Sequence, residues 1–163
     1  PLIAWRAVEG EFRRASRLAP EDPFVVRLHA GFLVADGHLS AAAAMLDDGL
    51  ARWPDDPDLL ELGARVHYDR GDEREAIRLL RRVEALRPMD PDPVWRLGQC
   101  WIRTAPGEGS AAERSVAYAA AVRAFARYRT LRPDDPEGWL GEAQARLARA
   151  ASDGITEDET DLI

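Results

Sequence analysis

Lysine and asparagine are missing from this sequence, and all 22 basic residues are arginine. Both missing residues have AT-rich codons, so the bias points to a GC-rich, bacterial genome rather than to a functional device. Cysteine is nearly absent, and the lone Cys100 excludes an internal disulfide framework. No apolar run approaches the roughly 20 residues that a membrane-spanning helix needs, so membrane insertion is not expected. No signal-peptide pattern is visible. The cytoplasm is the expected compartment, while the start at Pro1 rather than Met leaves an upstream targeting segment open.

The chemistry of catalysis is equally sparse. His29, His38 and His67 form no metal-ligand spacing with one another or with Cys100. Each is expected at a packing or surface position. Gly107-Glu-Gly109 is too short for a phosphate loop and follows no strand. No GxSxG or HExxH occurs. No catalytic residue, metal or cofactor is predicted.

What is present suits a soluble core: 46% apolar and 31% charged residues over 163 positions. The net charge is −7, but five of the 29 acids (Asp153, Glu157, Asp158, Glu159, Asp161) crowd into the last twelve residues without a base. The remaining 24 acids face 22 arginines, so the body is near neutral and nucleic acid is not an expected partner. Arginines do cluster at Arg74, Arg78, Arg81 and Arg82, and again at Arg123, Arg127, Arg129 and Arg132. Their expected place is a solvated face.

Proline supplies the organising signal. Pro20-Glu-Asp-Pro23, Pro54-Asp-Asp-Pro57, Pro88-Met-Asp-Pro91 and Pro133-Asp-Asp-Pro136 share one form, with first prolines 34, 34 and 45 residues apart. Fixed periods of this length indicate stacked supersecondary units. The first proline of each seam cannot continue a helix. The aspartate before the second proline is a good N-cap, and that proline fits the first helical position. Seven residues beyond it lie Ala30, Ala64, Gly98 and Ala143, all small; three beyond lie Val26, Leu60, Val94 and Trp139, all bulky. Gly37 and Gly71 mark the turn between two helices, and Ala42, Ala76, Leu46 and Leu80 lie on one face of the second helix.

This pattern resembles the tetratricopeptide repeat (TPR) family over about residues 20–148. The fold class expected is all-α, a solenoid of antiparallel helix pairs. Gly49, Val83 and Tyr128 stand where the family has a small residue late in helix B, and His67 and Arg146 replace an aromatic late in helix A. Leu59, Leu62 and Gly63 would fit the second repeat better if shifted by one. The helical domain is expected over 1–151: an N-terminal helix 2–18 with Trp5, Val8, Phe12, Ala15 and Leu18 on one face, repeats at 21–54, 55–88 and 89–133, and a capping helix 136–151. Repeat three carries an insertion, about 105–115, with a capping box at Ser110 and Glu113, so its second helix is expected from Ala111 to about Leu131. The tail 152–163 is expected to be disordered, with docking of Leu162 and Ile163 as the alternative.

In this family the first helix of each pair, helix A, lines a groove that seats a peptide or helix of a partner. The resemblance therefore implies a protein partner and places its site at Phe24, Arg27 and Val34, then Glu61, Arg65, Tyr68 and Asp69, then Trp95, Gln99, Ile102 and Arg103, and finally Leu140 and Gln144. An exposed aromatic beside arginine is typical of binding hot spots. Trp95 packs between repeats in the competing reading, and Trp101, Trp139 and Cys100 are expected in the core. One subclass grips a chaperone's C-terminal carboxylate. Arg27 and Arg96 match its pattern, but Gly31, Leu62 and Asp92 do not, so no such clamp is expected. The function expected is a non-enzymatic scaffold or adaptor. A secretion-type chaperone is one alternative, and an assembly module that forms homo-oligomers through the N-terminal helix is another.

Overall fold

The structure, a computed structural model, describes residues 2–107 and 109–154, with side chains from residue 6 onward. Among the described residues there are helices and no strands. They are α1 (Leu2–Leu18), α2 (Pro23–Ala35), α3 (Leu39–Arg52), α4 (Pro57–Arg70), α5 (Glu73–Leu86), α6 (Pro91–Thr104), a 3-10 turn (Ala105–Gly107), α7 (Ala111–Leu131) and α8 (Pro136–Asp153). The fold class read from the repeat pattern is the one observed. The tail beyond Gly154 and the side chain of Trp5 lie outside the described residues.

Each seam works through its own atoms. The Asp22 carboxylate accepts from the Phe24 amide at 2.9 Å, Asp56 from Leu59 at 2.9 Å, Asp90 from Asp92 at 3.1 Å and Asp135 from Glu137 at 3.0 Å. Such a cap contributes about 1 kcal/mol. The stops are equally local. Gly37 and Gly71 take φ of +81° and +84°, which side chains resist. The next amides, of His38 and Asp72, donate back to the Leu33 and His67 carbonyls at 2.8 Å.

The chain divides between Asp72 and Glu73 into two compact units. In an array whose elements touch mainly their neighbours, such a division can fall inside a sequence repeat. In the first unit, α1 packs on α2, α2 on α3 and α4, and α3 on α4. Ala30, Leu33, Ala42, Ala43, Leu46, Leu59 and Val66 form its core. On α4 both candidate registers are buried, since Leu59, Leu60, Gly63 and Ala64 are all covered. Phe12 holds α1 in place: its ring stacks on His29 at 4.8 Å and leans on Phe32 at 5.4 Å. Glu9 meets the buried His29 ring at 2.8 Å. Burial pushes the Glu9 carboxyl up, but the hydrogen bond and charge of His29, with Arg13, outweigh this and hold it below the usual range.

In the second unit, α6 packs on α5, α7 and α8, and α7 on α8. The fully buried Phe125 ring lies between α6 and α8. Glycine makes the room: a Cβ on Gly98 would come within 2.5 Å of the ring, and one on Gly141 within 2.7 Å. The inserted residues form the 3-10 turn and open α7. Ser110 caps α7 by accepting from the Glu113 amide at 3.2 Å, and Glu113 accepts from the Ser110 amide at 3.0 Å. Ser115, in the first turns of α7, then accepts from Arg149 at 3.1 Å and donates to Asp153 at 3.3 Å. The added turns are thus tied to the end of α8.

Two expectations for α8 fail. Trp139 is not core but 58% exposed, and Ala143 is exposed. The buried residues of α8 are Gly138, Gly141, Glu142 and Ala145. That set follows i, i+3, i+4, i+7 spacing, so Gly141 makes the close approach that Ala143 was expected to make. Ala143 is two residues on from Gly141, about 200° around the helix. Trp101 also differs from expectation: it is only half-buried, with the Arg81 guanidinium 5.4 Å from its ring centre.

Cys100 is core, at 1% exposure. Burial, with the Glu73 charge adding to it, pushes its thiol up to about 12. Native protein is expected to leave Cys100 unmodified by a thiol reagent such as DTNB, with one equivalent released only on denaturation. Tyr128 gives a second test. Its hydroxyl donates to Asp135 at 2.6 Å. That bond to a carboxylate, followed by burial, raises the phenol from 10.0 to about 12. A phenol raised on folding contributes stability that is present below the unfolded value and lost as pH climbs from about 10 through about 12. Tyr128→Phe should flatten this alkaline loss in urea titrations at pH values across that range.

Candidate functional site

Helices α2 and α4, the A helices of the first two repeats, lie side by side. Positions 24, 27, 31 and 34 share one face of α2, and positions 58, 61, 65, 68 and 69 share one face of α4. Phe24 is 49% exposed, and the Arg27 guanidinium covers its ring at 5.0 Å. Arg27 also pairs with Asp58 of α4. An exposed aromatic, a guanidinium and a carboxylate therefore meet across two A helices. Arg65 is exposed with Asp69 at 3.8 Å, while Glu61 and Tyr68 are half-buried. A Cβ on Gly31 would meet nothing within 4 Å, so the surface of α2 is open between Arg27 and Val34. Val34 itself packs against the core.

The residues expected from repeat three and the last helix belong to the second unit. Trp95 is half-buried with its ring edge-on to Phe125 at 5.0 Å and tilted on Tyr128 at 5.2 Å. Its packing is that of a core residue with one exposed edge. Ile102 also leans on that core, and Gln99 is half-buried. Arg103 is exposed and donates to Glu73 at 2.6 Å. On α8, Leu140 is 63% exposed and Gln144 is exposed. With Ala143 and Leu147, Leu140 makes an uncovered apolar stripe along that helix.

Sequence reasoning missed Asp58. The signal was available: Arg27 and Asp58 are 31 positions apart, three short of the 34-residue period, which puts them on facing turns of successive A helices. It also missed the exposure of Leu28 beside Phe24. The histidines do structural work. His29 is buried against Glu9, His38 is exposed near Asp36, and His67 is buried with Asp47 and Asp72 at 3.6 and 3.4 Å. Among the described residues, no group of three or more His, Cys, Asp or Glu side chains could hold a metal ion. No helix there is long and apolar enough to cross a membrane.

Residues 33–99 match the tetratricopeptide repeat family. No curated protein matches the sequence. Solved structures show the same fold. A crystal structure of MamA protein superposes with a TM-score of 0.73 at 12% identity, covering 94% of this chain and 75% of that one. A MamA RS-1 double mutant gives 0.73 at 14% identity, covering 96% and 85%. The human IFIT1 dimer with m7Gppp-AAAA gives 0.67 at 17% identity, covering 92% of this chain but only 33% of that one.

Proposed function

We propose that the chain is a non-enzymatic protein-interaction scaffold that seats a partner segment on its A helices, a reading supported by the match of residues 33–99 to the tetratricopeptide repeat family. The observation that carries this is the α2–α4 face, where Phe24, Arg27 and Asp58 join two A helices beside the open surface at Gly31. A partner side chain placed at Gly31 would lie beside an exposed aromatic with an arginine over its ring, the composition of a hot spot. Arg65 and Asp69 extend the same face. In the second unit the same reading takes Gln99 and Arg103 of α6 and Leu140 and Gln144 of α8 as partner contacts, while Trp95 packs on Phe125 and Tyr128. The near-neutral body favours a protein over a nucleic acid of the kind held by IFIT1.

The test is affinity capture from the lysate of the native organism, comparing the wild-type chain with Phe24→Ala/Arg65→Glu. Both substitutions are at exposed positions, and circular dichroism checks folding. A protein recovered by the wild type and lost in the variant supports the reading. A protein retained by the variant removes the α2–α4 face from it. The chaperone form of the reading adds one consequence: co-expression should raise the solubility of the captured client.

A second reading, an assembly module, is favoured by the apolar stripe of Leu140, Ala143 and Leu147 on α8. It predicts concentration-dependent association in sedimentation velocity that Leu140→Glu/Leu147→Glu abolishes. A monomer at every concentration contradicts it.

A further inference from the structure

The second unit holds a cleft of about 190 Å³ between α5, α6 and α7. Three arginines surround it: Arg81 from α5, and Arg123 and Arg127 from α7. Leu97 and Trp101 of α6 form its floor, and Glu84 is its one acid. Arg127 is satisfied, with Glu84 at 2.9 Å and the Pro88 carbonyl accepting from it at 3.0 Å. The other two are exposed. Arg81 lies over the Trp101 ring, and neither it nor Arg123 has a carboxylate partner among the described residues. Other arginines of this acidic chain do pair with carboxylates, among them Arg13 with Glu9, Arg27 with Asp58, Arg78 with Glu75 and Arg103 with Glu73.

We infer that this cleft is a second binding site, for a short acidic segment of a partner protein in which carboxylates flank one apolar side chain. The chemistry follows from the lining. The Arg81 guanidinium lies 5.4 Å from the Trp101 ring centre at an exposed position, and its planar fork matches a carboxylate. Arg123 offers a second fork in the same cleft. Between them the indole and Leu97 present an apolar floor for a side chain. Size decides against a larger ligand: small-molecule pockets run to about 300–1,000 Å³, and this cleft suits one or two side chains. It lies on the side of α6 that carries Leu97 and Trp101, away from Gln99 and Arg103, so it stands independently of the A-helix proposal.

The experiment is fluorescence anisotropy of the full chain with a fluorescein-labelled peptide EDLDE. Saturable binding is expected, weakening as salt rises from about 50 to about 200 mM. Arg81→Gln/Arg123→Gln, both at exposed positions, should weaken it by roughly tenfold or more, while Arg14→Gln/Arg17→Gln, which removes the same charge from exposed positions of α1, leaves it unchanged. Absence of binding, equal binding by the double variant, or equal binding of the neutral peptide QNLNQ overturns the proposal. Neutralising the chain's own acidic end (Glu157→Gln, Asp158→Asn, Glu159→Gln, Asp161→Asn) should not change the affinity. Binding seen only after that neutralisation would assign the cleft to the chain's own terminus and overturn the partner.

Discussion

Phe125→Ala is expected to lower stability by about 3–5 kcal/mol, the cost of emptying a fully buried aromatic site. The ring touches both neighbouring helices through glycines, so little side-chain mass can relax into the cavity. The converse experiment is more specific. Gly98→Ala puts a methyl group within 2.5 Å of the same ring, and Phe125 has no exposed direction in which to retreat. Overpacking of this kind costs about 1–3 kcal/mol. The two substitutions should couple: Gly98→Ala made together with Phe125→Leu should cost less than the sum of the single changes. Urea denaturation of the four proteins measures this. Strict additivity would mean that the ring does not sit between α6 and α8.

Arg129→Ala is expected to cost about 2–3 kcal/mol, below the 3–5 kcal/mol of a fully buried pair because Arg129 keeps partial access to water. Its Nη1 lies 3.0 Å from Glu142, a carboxylate only 4% exposed. The attraction is one of charge, since neither Arg129 Nε nor Glu142 Oε2 finds a hydrogen bond. The guanidinium also lies 3.7 Å from the centre of the Trp139 ring, a cation–π interaction that the substitution removes as well. After removal, Glu142 would keep only Arg146 among the described residues, at 2.5 Å and largely exposed. Glu142→Gln on the Arg129→Ala background should recover part of the loss by removing the poorly compensated charge. An Arg129→Ala protein as stable as wild type in thermal denaturation would contradict this account.

These two sites show where the sequence was legible. The seams were readable because proline and aspartate act within three residues of themselves, and all four caps form as local chemistry requires. Gly37 and Gly71 were readable for the same reason. Helix α8 was not, because counting from Pro136 assumes that each helix A meets its neighbours on the same turn. There Gly141, rather than Ala143, allowed the close approach, and the burial of Glu142 follows from that register. Pairings such as Arg27–Asp58 and Arg129–Glu142 depend on which turns of two helices face each other. A repeat period narrows that choice but does not select rotamers. Trp101 and Trp139 were misplaced in the core because bulk alone signals burial, whereas the structure leaves one half-covered beside Arg81 and the other exposed under Arg129.

The most direct measurement for the scaffold proposal is amide hydrogen exchange on the full chain, with and without the captured partner at saturating concentration. The account predicts new protection in Pro23–Ala35 and Pro57–Arg70, the helices that carry Phe24, Arg27, Arg65 and Asp69. Protection absent from both helices, and confined to α8 or to the α5–α7 cleft, would contradict it.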